Sequence, residues 1–260
     1  IKMPFDFKKI FFYDIRIRLI SSLFLIIIPF FAFYLGQLPA TFLISVCSSI
    51  IIFEICNITS LSFFSDKIAF LYKILFSVTF FCTALLYYYE EKLYFFIIFL
   101  LLFLSIINKN GRIIRSLFLI YIIVSLLIFI ELIKASFEKG DFIEIIFILS
   151  IVISTDVGGY LFGKIFRGKK IFPKISPNKT WSGCLGGILL SVTTSLLFFK
   201  ILNYEFFLVI FISFFLSFFA QLGDIIESLF KRYYKVKDSG KLIPGHGGFF
   251  DRFDSLLSAI

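Results

Sequence analysis

Apolar runs long enough to cross a lipid bilayer recur along this chain, and they restrict its fold more than any single motif. A backbone inside hydrocarbon must satisfy its own amides, so each run is read as a helix. Crossing roughly 30 Å of hydrocarbon takes about 20 apolar residues. On that scale eight spans are read, near 19–35, 40–56, 68–88, 93–107, 113–133, 142–163, 183–202 and 206–226, and a ninth begins near Phe253 and is cut off at Ile260. With 60% hydrophobic and 17% charged residues, an ordinary soluble domain is excluded. The expected fold is all-α: a polytopic membrane protein forming one membrane-embedded domain over 1–260, with its motifs concentrated in 150–260 rather than 1–140. The chain opens on Ile1 rather than Met and is expected to be a fragment or to have a mis-set start. No cleavable signal peptide is expected, because the first span lacks a small-residue cleavage site.

The net charge of +9 could suggest nucleic acid, but its distribution points elsewhere. With the N-terminus in the cytoplasm, only Lys92, Lys134, Lys139 and Lys200 of the 26 Lys/Arg fall outside, leaving 22 on the cytoplasmic side or in the cytoplasmic halves of the spans. That asymmetry is the positive-inside pattern of an inner-membrane, multi-pass protein. The remaining basic excess suits anionic membrane lipids, and no nucleic-acid partner is expected. Cys47, Cys56, Cys82 and Cys184 sit in or beside apolar segments without CxxC spacing, so they read as small buried hydrophobes.

Two polar blocks, 164–182 and 227–252, then share the cytoplasmic face. The second carries Lys231-Arg232, Lys237-Asp238, Pro244-Gly245-His246-Gly247-Gly248, Asp251-Arg252 and Asp254. Lysines and arginines bind phosphates, carboxylates hold the magnesium that accompanies them, and glycines let a backbone approach closely. Asp224 ends the eighth span, three residues before Glu227, on one helical face; a solvated terminal acid and a metal ligand are the two readings. In the first block, Lys164, Arg167, Lys169, Lys170, Lys174 and Lys179 have no acid among them, as a basic loop or a phosphate site would. Asp156 lies within an otherwise apolar span, where an ionisable group is costly and usually functional. Ser176-Pro177-Asn178-Lys179-Thr180-Trp181 precedes a helix start expected at Gly183, and helix starts with Gly and Thr bind phosphate readily.

The block from Ser228 to Asp254 resembles the signature of the phosphatidate cytidylyltransferase (CDP-diacylglycerol synthase) family. It matches at Ser228, Phe230, Lys231, Arg232, Lys237, Asp238, Gly240, Ile243, Pro244, His246, Gly247, Gly248, Phe249, Asp251, Arg252, Phe253 and Asp254. A second similar stretch includes Asp156, Tyr160, Gly163, Lys164, Ser176, Pro177, Lys179, Thr180, Trp181, Gly186 and Gly187, while Ser182 stands where the family commonly has Glu and is given no role. Phe53-Glu54, closing the second span, is also reminiscent of the family. The resemblance implies transfer of a cytidylyl group from CTP to phosphatidate, with Mg²⁺ as cofactor and Asp224 and Asp251 as its carboxylates. It implies a catalytic set of Asp224, Asp251, Lys231, Arg232, Lys237, Asp238, His246, Arg252 and Asp254. Substrate binding would fall to Asp156, Lys164, Ser176, Lys179, Thr180, Gly247 and Gly248. His246 is expected to donate to a phosphate or shape its turn rather than act as a general base, because a phosphomonoester with a second pKa near 6 is already largely ionised at neutral pH.

Two other functions compete with this one. A CTP-dependent lipid kinase of the polyprenol type would move the γ-phosphate. A multispan transporter of anionic solutes would place Asp156 at a midplane site, but no pair of interrupted spans recurs in two halves. The sequence does not set the oligomeric state; a homodimer is compatible with it.

Overall fold

The computed structural model describes residues 27–59, 66–89, 112–240, 242–243 and 247–260, with a few isolated positions before 27 and between 92 and 98. Its elements run α1 Gln37–Ile58, α2 Asp66–Tyr88, α3 Arg112–Lys139, α4 Ile143–Phe166, β1 Lys170–Phe172, β2 Ser176–Thr180, α5 Trp181–Ser195, α6 Phe199–Leu202, α7 Phe206–Tyr233 and α8 Phe250–Ala259. Among the described residues, four helices are long and apolar enough to cross a membrane: α1, Ile113–Lys139 of α3, α4 and α7. These coincide with the second, fifth, sixth and eighth expected spans. The first expected span is described only in part, with residues 27–35 helical, and the span at 93–107 lies outside the described residues. Helix α2, 23 residues long, covers the third expected span, 68–88.

Three expectations need correction. The span read at 183–202 is broken: α5 stops at Ser195, about 22 Å after it starts, and a turn leads into the four-residue α6. Near that end, the hydroxyls of Ser191, Thr193, Thr194 and Ser195 donate to carbonyls three or four residues back, which competes with helix continuation. Within a structure that is otherwise helical, as expected of an all-α membrane protein, the polar block read as the loop 164–182 also contains a two-stranded hairpin. Its strands are antiparallel, with Lys170 opposite Thr180 and Phe172 opposite Ser176. Lys231 and Arg232, read as loop residues, occupy the last turn of α7.

The chain divides into two compact units, Ile1–Ile97 with Asp238–Asp251, and Ile98–Lys237 with Arg252–Ile260. In the first, α1 and α2 pack through Ala40, Ile44, Ile51, Ile52 and Ile55 on one helix and Phe76, Phe80 and Ala84 on the other. Phe42 meets Phe81 edge-on, and Lys73 donates to Asn57 Oδ1 at 2.6 Å near the end of the pair.

In the second unit, α4 and α5 approach through glycine. Gly158 faces the Gly186 carbonyl and Gly187 Cα, Gly159 and Gly183 face each other, and Gly187 faces the Thr155 carbonyl. Helices that lie in lipid gain little from burying apolar surface against each other, so small residues that bring backbones together supply the packing. Gly183, Gly186 and Gly187 are therefore a helix-packing face. Helix α7 joins this pair through Val209, Ser213, Ser217 and Ala220, all buried. The Thr155 and Ser217 hydroxyls lie 2.9 Å apart, and Gln221 Nε2 donates to the Cys184 carbonyl at 3.3 Å. Helix α3 stacks Phe118 on Phe230, with ring centroids 3.9 Å apart. It also meets α8, where Tyr121 and Ser258 share a 2.6 Å hydrogen bond and Ser125 donates to the Leu257 carbonyl.

Candidate active site

In the second unit, α4, β2, α5, α7 and α8 bring together Asp156, Lys179, Thr180, Asp224 and Asp254. Helix α5 begins at Trp181, two residues earlier than expected, because Thr180 is its N-cap: extended, with its hydroxyl accepting the Gly183 N–H at 3.1 Å. The Trp181 N–H donates to the Lys169 carbonyl at 3.0 Å. Two amides of this helix start are thus already satisfied from inside the chain, so the start is a capped joint between hairpin and helix. Ser182 completes the joint. Its hydroxyl accepts the Gly168 N–H at 3.1 Å, and a side chain at Gly168 would strike it. Ser182 carried no expected role, and only the fold reveals this one.

The capped joint directs Lys179, half-buried, toward α7. Its ammonium donates to Asp224 Oδ2 and sits 3.4 Å from the Gln221 carbonyl. On the other side of Asp224, Ser255 Oγ donates to Oδ1 at 2.7 Å. Ser255 Oγ is also 3.4 Å from Asp254 Oδ1 and 3.5 Å from Asp156 Oδ2. Asp156, Asp224 and Asp254, from three helices, therefore surround one buried hydroxyl, with Lys179 as the adjoining cation. Gly223 makes this possible, since a side chain there would run into Ser258 and the Asp254 carbonyl. Three acids that share one hydroxyl repel each other, and a single ammonium offsets only part of that repulsion.

The remaining cations are placed differently. Lys231 pairs with the buried Glu227 at 3.2 Å, one turn back on α7. Arg232 donates to the Ile175 carbonyl at 3.3 Å and the Val236 carbonyl at 3.1 Å, tying the hairpin turn to the end of α7. Lys164 lies over the Tyr160 ring and 3.3 Å from its hydroxyl, and is exposed. Ser176 is half-buried in β2, and Lys237 and Arg252 are exposed.

In the first unit, Asp238 is exposed and Gly247 adopts φ +87°, a backbone conformation that favours glycine. Asp251 accepts the Gly248 N–H at 3.0 Å and the Ser239 N–H at 3.0 and 3.2 Å. Gly248 is needed for close packing, because a Cβ there would collide with Ser239 Oγ and the Gly240 amide. His246 lies outside the described residues.

Among the described residues, no group of three or more His, Cys, Asp or Glu side chains could hold a metal ion by itself. Mg²⁺ takes one or two carboxylates and completes its shell with substrate phosphate and water, so the acids around Ser255 are of the right kind for it without forming a complete site. The model of the Cytidylyltransferase family matches residues 16–260, through both units. The chain belongs to that family. Among curated proteins, it is 46% identical over 115 residues to a phosphatidate cytidylyltransferase of Staphylococcus haemolyticus (strain JCSC1435). It is 48% identical over the same length to that of Staphylococcus epidermidis (strain ATCC 12228 / FDA PCI 1200), and 47% to that of Staphylococcus aureus (strain COL). Each match covers 44% of this chain and 44% of the relative, so under half the length of these cytidylyltransferases is matched.

The two sets of loop cations predict different salt responses. Lys179 is held against Asp224 and is partly dehydrated, whereas Lys169 and Lys170 are exposed. Lys179→Met is expected to lower turnover at every ionic strength, because screening is weak at such a site. Lys169→Gln combined with Lys170→Gln is expected to cost less, with a loss that shrinks as salt rises. Initial rates in mixed micelles across ionic strength check this. A double variant as inactive as Lys179→Met at all salt concentrations would make the whole hairpin part of the site.

Proposed function

We propose that this cytidylyltransferase-family chain moves a cytidylyl group from CTP to phosphatidate, yielding CDP-diacylglycerol and pyrophosphate. The observation that carries the reading is the Lys179–Asp224–Ser255 arrangement, with Asp156 and Asp254 beside it; of these, Asp156, Lys179 and Asp254 fall in the stretches that resemble the family's. The names of the staphylococcal relatives support the same activity. A phosphate oxygen of the lipid attacks the α-phosphorus of CTP in line, the bond to the β-phosphate oxygen breaks, and pyrophosphate leaves with its electron pair. Such chemistry asks the protein chiefly for positioning and charge stabilisation. Lys179 offers an ammonium already oriented by Asp224, and the exposed Lys164, Lys237 and Arg252 add positive charge for phosphates. The family resemblance, rather than the geometry, names Asp224 and Asp251 as carboxylates for Mg²⁺, which when bound would stabilise charge on the phosphates. Orientation is proposed with the N-terminus and both polar blocks in the cytoplasm of an inner membrane, where CTP is available.

Pyrophosphate release from purified full-length protein in mixed micelles tests the reaction. Release is expected only when CTP, Mg²⁺ and phosphatidate are all present. Release that is indifferent to phosphatidate would contradict it. The nucleophile arrives ionised, so His246→Gln is expected to lower the rate while keeping the shape of the pH profile. Loss of a basic limb near the histidine pKa in that variant alone would make His246 a general base.

A further inference from the structure

Glu54 is a carboxylate in the last turns of apolar helix α1, and only 1% of its surface is exposed. A buried acid must find donors, and this one finds them in a distant part of the chain. Its Oε2 accepts the Ser239 hydroxyl at 2.8 Å and the Phe250 N–H at 2.9 Å, and its Oε1 accepts the Phe249 N–H at 2.9 Å. The two amides lie at the start of α8, where a helix leaves N–H groups without partners of its own. Asp251 takes the neighbouring amides of Ser239 and Gly248. The two carboxylates thus divide the donors of one segment, and Ser239 gives its hydroxyl to Glu54 and its N–H to Asp251.

The glycines of the segment fit around Glu54. A Cβ on Gly240 would stand 2.5 Å from Glu54 Oε1 and 3.0 Å from its Cδ, and Glu54 supplies all three of the nearest atoms. A Cβ on Gly248 would meet Glu54 Oε2 at 2.8 Å, but also the Gly240 amide nitrogen at 2.6 Å. Gly240 is therefore a space that a residue nearly two hundred positions earlier requires, whereas Gly248 is required first by Ser239 and the Gly240 amide.

We propose that Glu54 is a positioning residue: by holding the 238–251 segment it sets the direction of the Asp251 carboxylate. The proposal rests on the reading of Asp251 as a Mg²⁺ carboxylate. Groups that orient a metal ligand from behind commonly matter about 10–100-fold for metal affinity or activity.

The test uses full-length protein in detergent, with two readouts. The first is tryptic cleavage after Lys237 without metal or nucleotide, referred to cleavage after Lys170. The second is the Mg²⁺ concentration giving half-maximal turnover. Glu54→Ala is expected to speed cleavage after Lys237 about tenfold or more and to raise the Mg²⁺ requirement about tenfold. Glu54→Gln keeps the size but turns one acceptor into a donor facing donors, so it is expected to move both readouts the same way. It serves as the folded variant should the alanine form fail to insert. Gly240→Ala is expected to loosen the segment in the wild-type background and to add nothing to Glu54→Ala, because the atoms it would strike are gone. Gly248→Ala is expected to do harm in both backgrounds, since the Gly240 amide remains. Wild-type cleavage in Glu54→Ala and Glu54→Gln, or equal damage from Gly240→Ala in both backgrounds, would overturn the proposal. A segment that loosens as expected, in a protein without CTP-dependent turnover, would uphold the place of Glu54 and sink the proposed reaction instead.

Discussion

Asp224→Asn is expected to reduce turnover more than about a hundredfold while leaving membrane insertion and expression unchanged. Asp224 accepts from both Lys179 and Ser255, so the amide removes the one charge that orients the ammonium and faces a hydroxyl donor with a group that cannot accept at both ends. Stabilisation of charge on phosphates by a held metal is worth several kcal/mol, and each 1.36 kcal/mol is tenfold in rate. Asp251→Asn is expected to fall in the same class. Rates at saturating CTP, in membranes matched for protein level, check both. Activity within a few-fold of wild type in Asp224→Asn would remove that residue from the reaction.

Gly158→Leu is expected to destabilise the second unit by about 3 kcal/mol, the upper part of the usual range for overpacking. The added Cβ alone would stand 2.6 Å from the Gly186 carbonyl oxygen, 2.9 Å from Leu190 Cβ and 3.0 Å from Gly187 Cα. Two of these are backbone atoms, which cannot rotate away, so α4 and α5 would have to separate. Gly159→Ala is the contrasting case one residue on. Its nearest neighbour would be the Gly183 carbonyl at 3.7 Å, an ordinary contact. Alanine there also relieves the entropic cost of glycine in a helix, so it is expected to be neutral or stabilising by about 0.5–1 kcal/mol. Thermal unfolding in detergent separates the two: Gly158→Leu is expected to lose about 5–10 °C and Gly159→Ala none. Equal behaviour would mean that the α4–α5 approach is not as close as the glycines indicate.

Features that depend on local pattern could be read from sequence, and those that depend on distant pairing could not. Four long apolar helices follow from run length, and the capped joint at Thr180 follows in part from Thr before a helical run. The hairpin is hard to read because Lys170–Phe172 has only three residues and Ser176–Thr180 is polar and contains Pro177, so no alternation marks them. The packing face of Gly183, Gly186 and Gly187 is not legible because a glycine that admits a phosphate and one that admits another helix look alike in one dimension. Asp224 and Lys179 were both candidates, but their pairing over 45 residues is a property of the fold. Glu54 shows the limit most plainly. One acid near the end of an apolar run gives no sign that its donors lie 185 to 196 residues away. The one available hint was the need for small residues at Gly240 and Gly248, which a single sequence presents without their cause.

The fate of labelled CTP tests the central claim most directly. Full-length protein in mixed micelles with phosphatidate and Mg²⁺ would be given CTP carrying phosphorus label at the α or the γ position, and the lipid fraction counted. Cytidylyl transfer predicts that the α label enters the lipid while the γ label leaves in pyrophosphate. A γ label that appears in the lipid, with the α label left in soluble nucleotide, would contradict the account and make the protein a CTP-dependent lipid kinase.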